Sequence, residues 1–364
     1  MANYAEKLAN MRNRRRGLDS VVALNKSVSF AEDSVNLVEA YESRGTTEAV
    51  KYALGAMQAL EEKYTKISIE EGDRVRDQLK TGLNNAGIPV EFEYQGSVPL
   101  NIHIRFASDI DLLVLHGGFV TLDWTGPRAG GYTQLGGSVW SDMVNLRTSC
   151  ESVLEAKFPA VKVDKTGSKS IALTGGSLRR KVDVVPSHWH DTAAYQQSRN
   201  KWDREVRILD KDAGKLISNR PFLHMQSIED KDVITDGGAK KAIRLLKNIK
   251  RDSSHDIRLT SYDIAGLIWH LDNNALRKPY YLELSLLVEL QNYLQYLIDN
   301  PAYAKTLIVP DGSRKILDSN EKLQSLKWLK SELEELLESI AQELNPLLTN
   351  RALAIKQLRE ARIF

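Results

Sequence analysis

The sequence predicts an α+β protein in two parts, strands mixed with helices up to residue 235 and an all-helical lobe over residues 236–364. Two observations carry this. Short runs with alternating or continuous apolar patterning fall between residues 89 and 186, whereas after about residue 237 apolar residues recur at helical spacing almost without a break. The chain has 364 residues, 42% of them apolar and 27% charged, which is enough for two cores of ordinary size. A cleft between two such lobes is the usual home of a ligand.

Element by element, residues 1–16 read as a short helix or tail ending in Arg12, Arg14, Arg15 and Arg16. A solvated, partly disordered start and an RNA-binding arm both fit that charge run. Helical spacing runs from "TTEAVKYALGAMQALEEKYTKI" to "GDRVRDQLKTGLNNAG", where Asn-Ala-Gly closes the second helix. "PVEFEYQG" alternates as a strand, and "DIDLLVL" is a second strand, buried on both faces at its far end. "TLDWTGPRAGGYTQLGG" has the glycines and turn residues of a flexible loop. A helix over "SVWSDMVNLRTSCESVLEAKF" precedes three strands at hairpin spacing, "AVKVDK", "SKSIALTG" and "SLRRKVDVVP". Near the end, Leu323, Leu326, Leu333, Leu337, Ile340 and Leu344 form one stripe of a long helix, too short in repeat for a coiled coil and better read as core.

Composition excludes several classes. Lys plus Arg is 50 against 48 for Asp plus Glu, a net charge of +2, so any polyanion site must be a local patch. Cys150 is the only cysteine, which excludes an internal disulfide framework and a multi-cysteine zinc site and fits a reducing compartment. The first residues carry charge where a signal peptide needs apolar side chains, and no apolar run approaches the roughly 20 residues of a membrane span. A cytoplasmic protein with no membrane partner is expected.

Chemistry gathers at three places. Asp109 and Asp111 are two residues apart at the mouth of a strand and so project from one face. Two carboxylates that close resist ionising together, and a divalent cation between them resolves the conflict. Asp183 interrupts the apolar "VDVV" in the same way, and if the two strands are neighbours three carboxylates converge on one sheet edge. Hard oxygen ligands of this kind suit Mg²⁺, and two ions about 4 Å apart clamp both oxygens of an in-line phosphoryl displacement. Gly96 lets backbone approach a phosphate, and Ser97 offers it an N–H and a hydroxyl. Third, residues 236–258 hold seven Lys or Arg against three Asp, with Lys240, Arg244, Lys247 and Arg251 on one helical face opposite Ala242, Leu245, Leu246 and Ile249. This stripe reads either as a solvated face or as a partner for a triphosphate. Beyond it Thr260 or Ser261 is an N-cap, and Ser261 and Tyr262 could offer a hydroxyl to phosphate and a ring to a base. Two competing motifs are weaker. His188 and His190 share a strand face but lack a third ligand, so core or surface histidines are expected. The glycine-rich "GGYTQLGG" lacks the Gly-Lys-Ser/Thr ending of a Walker loop.

With "QGS" at 95–97, eleven residues, "DID" at 109–111 and then "KVDVVP" around Asp183, the chain resembles the polymerase-β-type nucleotidyltransferase superfamily. "IRLLKNIK", followed fourteen residues after Lys247 by Ser261-Tyr262, narrows the resemblance over roughly residues 45–300. It is to the bacterial cyclic-oligonucleotide synthases (CD-NTases), relatives of animal cyclic GMP–AMP synthase that signal in anti-phage (CBASS-type) defence. The resemblance implies a polymerase-β-like catalytic lobe over residues 1–235, with a mixed sheet flanked by helices and helices at its N-terminus. A helical lobe over 236–364 would complete the nucleotide-binding cleft. It implies joining of nucleoside triphosphates, ATP among them, into a cyclic di- or trinucleotide second messenger with release of pyrophosphate. Two Mg²⁺ per site are implied, with Mn²⁺ as a substitute. Asp109 and Asp111 would bind both metals, and Asp183 would assist the one that activates the attacking ribose hydroxyl. Gln95, Gly96, Ser97, Lys247 and Ser261 would hold the triphosphate, and Tyr262 would stack on a base. A separate effector protein would read the product, an accessory regulator is compatible with the family, and no stable nucleic-acid partner is required. One departure matters: a lone cysteine leaves no zinc thumb, so activation by double-stranded DNA is not implied.

Two other readings keep part of this site. A template-independent RNA-tailing or CCA-adding nucleotidyltransferase would share the carboxylates but needs a groove for a long polyanion, which the balanced charge argues against. A catalytically silent nucleotide- or RNA-binding protein would need a lesion in the site, and all three aspartates are present.

Overall fold

The computed structural model describes residues 3–16, 39–45, 47–105, 108–134, 136–347 and 351–364. The longer helices and the strands follow in chain order as α1 (Tyr4–Arg16), α2 (Glu48–Met57), α3 (Glu62–Asn85), β1 (Val90–Gln95), β2 (Ile110–His116), β3 (Thr121–Leu122) and α4 (Val139–Lys157). Next come β4 (Lys162–Asp164), β5 (Ile171–Thr174), β6 (Val182–Asp191), β7 (Glu205–Asp210), β8 (Lys215–Asn219) and α5 (Pro221–Ile234). The rest is helical: α6 (Gly238–Asp252), α7 (Ser261–His270), α8 (Ser285–Asp299), α9 (Asn320–Leu344) and α10 (Arg351–Glu360). No helix among the described residues is long and apolar enough to cross a membrane.

These elements form two compact units. One comprises Glu61–Leu100 and Ser108–Gln226, and holds the sheet. The other comprises Met1–Leu60, Asn101–Ala107 and Ser227–Phe364.

In the sheet unit the order is β1-β2-β6-β5-β4, with β7 also on β6 and β8 on β7. The sheet is mixed: β2 and β6 run parallel, as do β3 and β6, and the other pairs are antiparallel. A parallel pair needs a long crossover, and the segment carrying α4 supplies it between β2 and β6. One face of the central pair, Ile110, Leu112 and Val114 with Val182 and Val184, packs on Val75, Leu79 and Leu83 of α3 and on Met143, Leu146, Cys150 and Leu154 of α4. The helical residues recur three or four apart, one stripe facing the sheet. Each such side chain contributes roughly 1.5–3 kcal/mol when fully buried. On the other face Leu113, Leu115 and Val185 pack with Trp189, Val206, Ile208 and Phe222. β2 is therefore buried on both faces, as its apolar run requires.

Three expectations meet the structure in this unit. Strands β3, β7 and β8 carry too little apolar alternation to stand out in the sequence and are fixed by pairing with β6 and with each other. The loop over 121–137 is anchored: the Tyr132 hydroxyl donates to Asp191 at 2.8 Å, and the Gln196 side chain donates to the Asp123 carbonyl at 2.7 Å. His188 is fully buried, its Nδ1 2.9 Å from the Trp189 carbonyl, and burial holds it down to about 4. His190 is bonded to the Thr121 hydroxyl at 2.9 Å, so both histidines sit within the packing of the sheet.

The helical unit changes a fourth. The sequence put α1 and α2 with the catalytic lobe, but here they belong with α6. The arginines at the end of α1 explain why. Arg14 forms a two-toothed ion pair with Asp252 of α6, at 2.5 and 2.7 Å, and the Tyr52 hydroxyl of α2 donates to the same carboxylate at 2.8 Å. Both side chains of the ion pair are nearly buried, 5% and 6% exposed. Arg15 pairs with Glu39 and donates to the carbonyls of Gly55, Gln58 and Ala59. Arg12 pairs with Glu42, and only Arg16 of the four is exposed. Three of the four arginines are internal clasps, so the run is not a solvated tail. The expected core stripe holds, with Leu326, Leu333, Leu337 and Ile340 of α9 buried.

Removing one partner of a buried ion pair strands the other charge. Asp252→Ala should therefore cost about 3–5 kcal/mol, whereas Arg16→Ala should stay within about 0.5 kcal/mol of the parent. Urea unfolding of the two variants checks this, and equal stability would show that the Arg14 clasp carries no weight.

Candidate active site

Register brings the carboxylates together. Asp111 of β2 lies directly opposite Asp183 of β6 in the parallel pair. Neighbours in register point to the same side of a sheet, so both carboxylates leave the face that carries Leu113 and Val185. The apolar cover over that face stops short of this end of the strands, and charged groups take over. Asp109, immediately before β2, shares the side of Asp111 by the two-residue period. From the other flank, Gln95 of β1 lies opposite Asp111.

Gly96 follows in a left-handed conformation, φ +85°. A Cβ built there would lie 2.5 Å from Asp111 Oδ2, well inside contact distance. The Gly-Ser turn is thus tied to the aspartate in two ways: only glycine takes that φ without strain, and only glycine leaves the carboxylate its place.

Electrostatics show an unbalanced site. Burial, then the neighbouring Asp183 and Asp109, push the Asp111 carboxyl up to about 7, with Lys181 pulling the other way. Burial also raises Asp183, against the hydrogen bond it receives from Lys181. Lys181 Nζ donates to Asp109 Oδ2 at 2.5 Å and to Asp183 Oδ2 at 3.0 Å. Asp183 Oδ1 and Gln95 Oε1 are buried and accept no hydrogen bond among the described residues. With Lys181 bridging two of the carboxylates, no group of three His, Cys, Asp or Glu among the described residues is closed up to hold a metal ion. The donor set nevertheless fits a hard divalent cation: three carboxylates, one with an orphaned buried oxygen, and one short of the positive charge that would keep it ionised.

The helical unit holds the other sequence candidates, and the basic face of α6 is turned largely inward, with Arg251 exposed at its end. Lys240 pairs with Glu229 at 2.7 Å. Arg244 is buried and donates to the carbonyls of Met57, at 2.6 Å, and Asn101, at 2.9 Å. Lys247 is 5% exposed and donates to the Ile102 carbonyl at 2.7 Å. Burial, reinforced by Lys250 and Arg244, brings its ammonium down to about 7. Thr260 is the N-cap of α7, in a capping box with Asp263, which leaves Ser261 exposed in the first turn. The Tyr262 hydroxyl donates to Asp311 at 2.7 Å, and Arg314 lies over its ring at 5.7 Å.

Sequence reasoning passed over Lys181. The signal was present: it stands two residues before Asp183, so the rule that paired Asp109 with Asp111 also puts Lys181 on the side of Asp183.

A buried carboxyl raised to about 7 favours the protonated form when folded. Its contribution to stability is complete below the unfolded value near 4 and is lost as pH rises through about 7. Asp111→Asn, melted in EDTA, should therefore gain over the parent between pH 4 and 7 and hold a constant advantage above that. A variant that melts lower than the parent at pH 8 would mean that Asp111 is not short of a cation.

Comparisons with known proteins identify the family. Residues 226–345 match the cGAS/DncV-like nucleotidyltransferase C-terminal helical domain. The cyclic dinucleotide synthase CdnE of Yersinia aleksiciae is 39% identical, over 96% of this chain and 94% of that protein. A c-di-GMP synthase of Lachnospiraceae bacterium (strain RUG226) is 33% identical, over 62% of this chain and 70% of its own length. The solved STING-associated CdnE c-di-GMP synthase of Capnocytophaga granulosa superposes with a TM-score of 0.72 at 27% identity, over 94% of this chain and 100% of that one. The chain belongs to the cGAS/DncV-like nucleotidyltransferases, the bacterial enzymes that synthesise cyclic oligonucleotides.

Proposed function

We propose that this enzyme joins two nucleoside triphosphates into a cyclic dinucleotide with release of pyrophosphate, and that a separate effector protein reads the product in anti-phage signalling. The observation that supports the chemistry most directly is the register of Asp111 beside Asp183, with Gly96 cut back to admit the carboxylate. Relatives named as c-di-GMP synthases make GTP a substrate to test beside ATP, and the STING-associated relative supports the effector.

Asp109, Asp111 and Asp183 would hold two Mg²⁺, which when bound supply the charge that favours an attacking ribose hydroxyl and a leaving pyrophosphate. The chain's own groups do the rest. Gly96 brings backbone close to the phosphates, and Ser97 adds an N–H and a hydroxyl. Gln95 carries a buried Oε1 without a donor, an acceptor available to a ligand beside Asp111. Lys247 would have to leave the Ile102 carbonyl to grip a triphosphate, and Ser261 would offer its exposed hydroxyl. Tyr262 would stack on a base through its ring while Asp311 keeps its hydroxyl.

Incubation with the four triphosphates and Mg²⁺, without RNA, should give a phosphatase-resistant cyclic dinucleotide by mass spectrometry. Asp109→Ala with Asp111→Ala should abolish it while the melting temperature holds or rises. A linear product, or one that appears only with added RNA, would favour the RNA-tailing reading instead. Lys247→Met should raise KM for nucleotide with the fold retained, whereas Lys250→Met, which loses only its bond to the Leu259 carbonyl, should leave KM unchanged. Equal effects at the two positions would remove Lys247 from the triphosphate site.

A further inference from the structure

The carboxylate edge of the sheet carries a cation of its own. Lys181 precedes β6, and its carbonyl accepts a hydrogen bond at 3.1 Å from the N–H of Ile110, the residue between Asp109 and Asp111. Its backbone is thereby fixed against the strand that bears the partner charges. From that anchor the ammonium reaches Asp109 Oδ2 at 2.5 Å and Asp183 Oδ2 at 3.0 Å, joining carboxylates of two different chain segments. Its side chain is 36% exposed, and those of Asp109 and Asp183 are 41% and 15% exposed. Water therefore reaches the bridge, so exchanging one cation for another needs no opening of the core. One unit charge bridges two of three neighbouring carboxylates, and the second oxygen of Asp183 accepts no hydrogen bond among the described residues.

We propose that Lys181 is a placeholder cation: it holds Asp109 and Asp183 against their mutual repulsion in the metal-free enzyme and is displaced when a divalent ion loads. The inference builds on the reading of the three aspartates as the metal site. An ammonium in hydrogen-bond contact with both oxygens occupies coordination positions that the ion needs, and two cations cannot share them. A lysine suits this role better than an arginine, because it is a compact point charge on a flexible four-carbon stem. Once released it stays within reach of the same edge, where the phosphate charge of an incoming nucleotide is its next partner. The lysine thus raises the metal concentration at which the empty site fills, and couples filling to the arrival of a polyanion. Lys181 acts through the aspartates and is a positioning residue.

The test is Mn²⁺ binding to nucleotide-free protein, read from the free-ion signal by electron paramagnetic resonance. Lys181→Met and Lys181→Gln remove the competing charge and should bind Mn²⁺ at least about threefold tighter than the parent, as expected for losing one nearby unit charge. Lys181→Arg, which keeps the charge, should not gain. Asp183→Asn in the parent background should abolish the binding and so locates it. If the binding depends on Asp183 but neither neutral variant tightens it, the placeholder role is overturned and the metal site stands. Absence of Mn²⁺ binding from the parent and from both neutral variants would overturn the metal site and the placeholder together. A merely structural lysine would lower the melting temperature in EDTA without tightening metal binding.

Discussion

Everything distinctive in the sheet unit follows from the parallel pairing of β2 and β6 in the register that sets Asp111 beside Asp183. Two carboxylates on adjacent strands, partly withdrawn from water, repel each other and favour their protonated forms. The surrounding chain tolerates this only because both strands are held by packing on two faces, α3 and α4 on one and the Trp189–Phe222 cluster on the other. Core burial thus stabilises a charge arrangement that by itself would push the strands apart. The strain is partly answered by Lys181, and the orphaned oxygen of Asp183 shows that the answer is incomplete.

The Gly-Ser turn is subordinate to the same constraint. Gly96 sits next to the residue opposite Asp111, in a backbone conformation that side chains resist, and any Cβ would collide with the carboxylate. One glycine therefore serves both the backbone turn and the place of the carboxylate.

The helical unit satisfies charge in another way. Its arginines and lysines are turned onto backbone carbonyls and buried carboxylates: Arg14 on Asp252, Arg15 on three carbonyls, Arg244 on Met57 and Asn101, Lys247 on Ile102. Asn101 and Ile102 belong to the short segment that joins the Gly-Ser turn to Asp109 in sequence, so two cations of α6 hold the backbone of that connection. Burial, with Lys250 and Arg244 nearby, makes the Lys247 ammonium easy to deprotonate. A cation held by carbonyls alone can be drawn away by a stronger anion.

By itself the sequence determined the local facts. The two-residue period of a strand put Asp109 and Asp111 on one side, the apolar flanks of Asp183 marked a third carboxylate on a buried strand, and helical spacing defined the C-terminal half. These follow from backbone geometry that any short segment carries within it. Only the tertiary structure decided which strands are neighbours and in what register, because pairing joins residues more than seventy apart that no local pattern connects. It likewise decided that Arg12, Arg14 and Arg15 of α1 are clasps, that Arg244 and Lys247 of α6 are buried, and that Lys181 bridges the aspartates. A charged side chain reads as solvated until the carbonyl or carboxylate that meets it is known, and that partner comes from elsewhere in the chain.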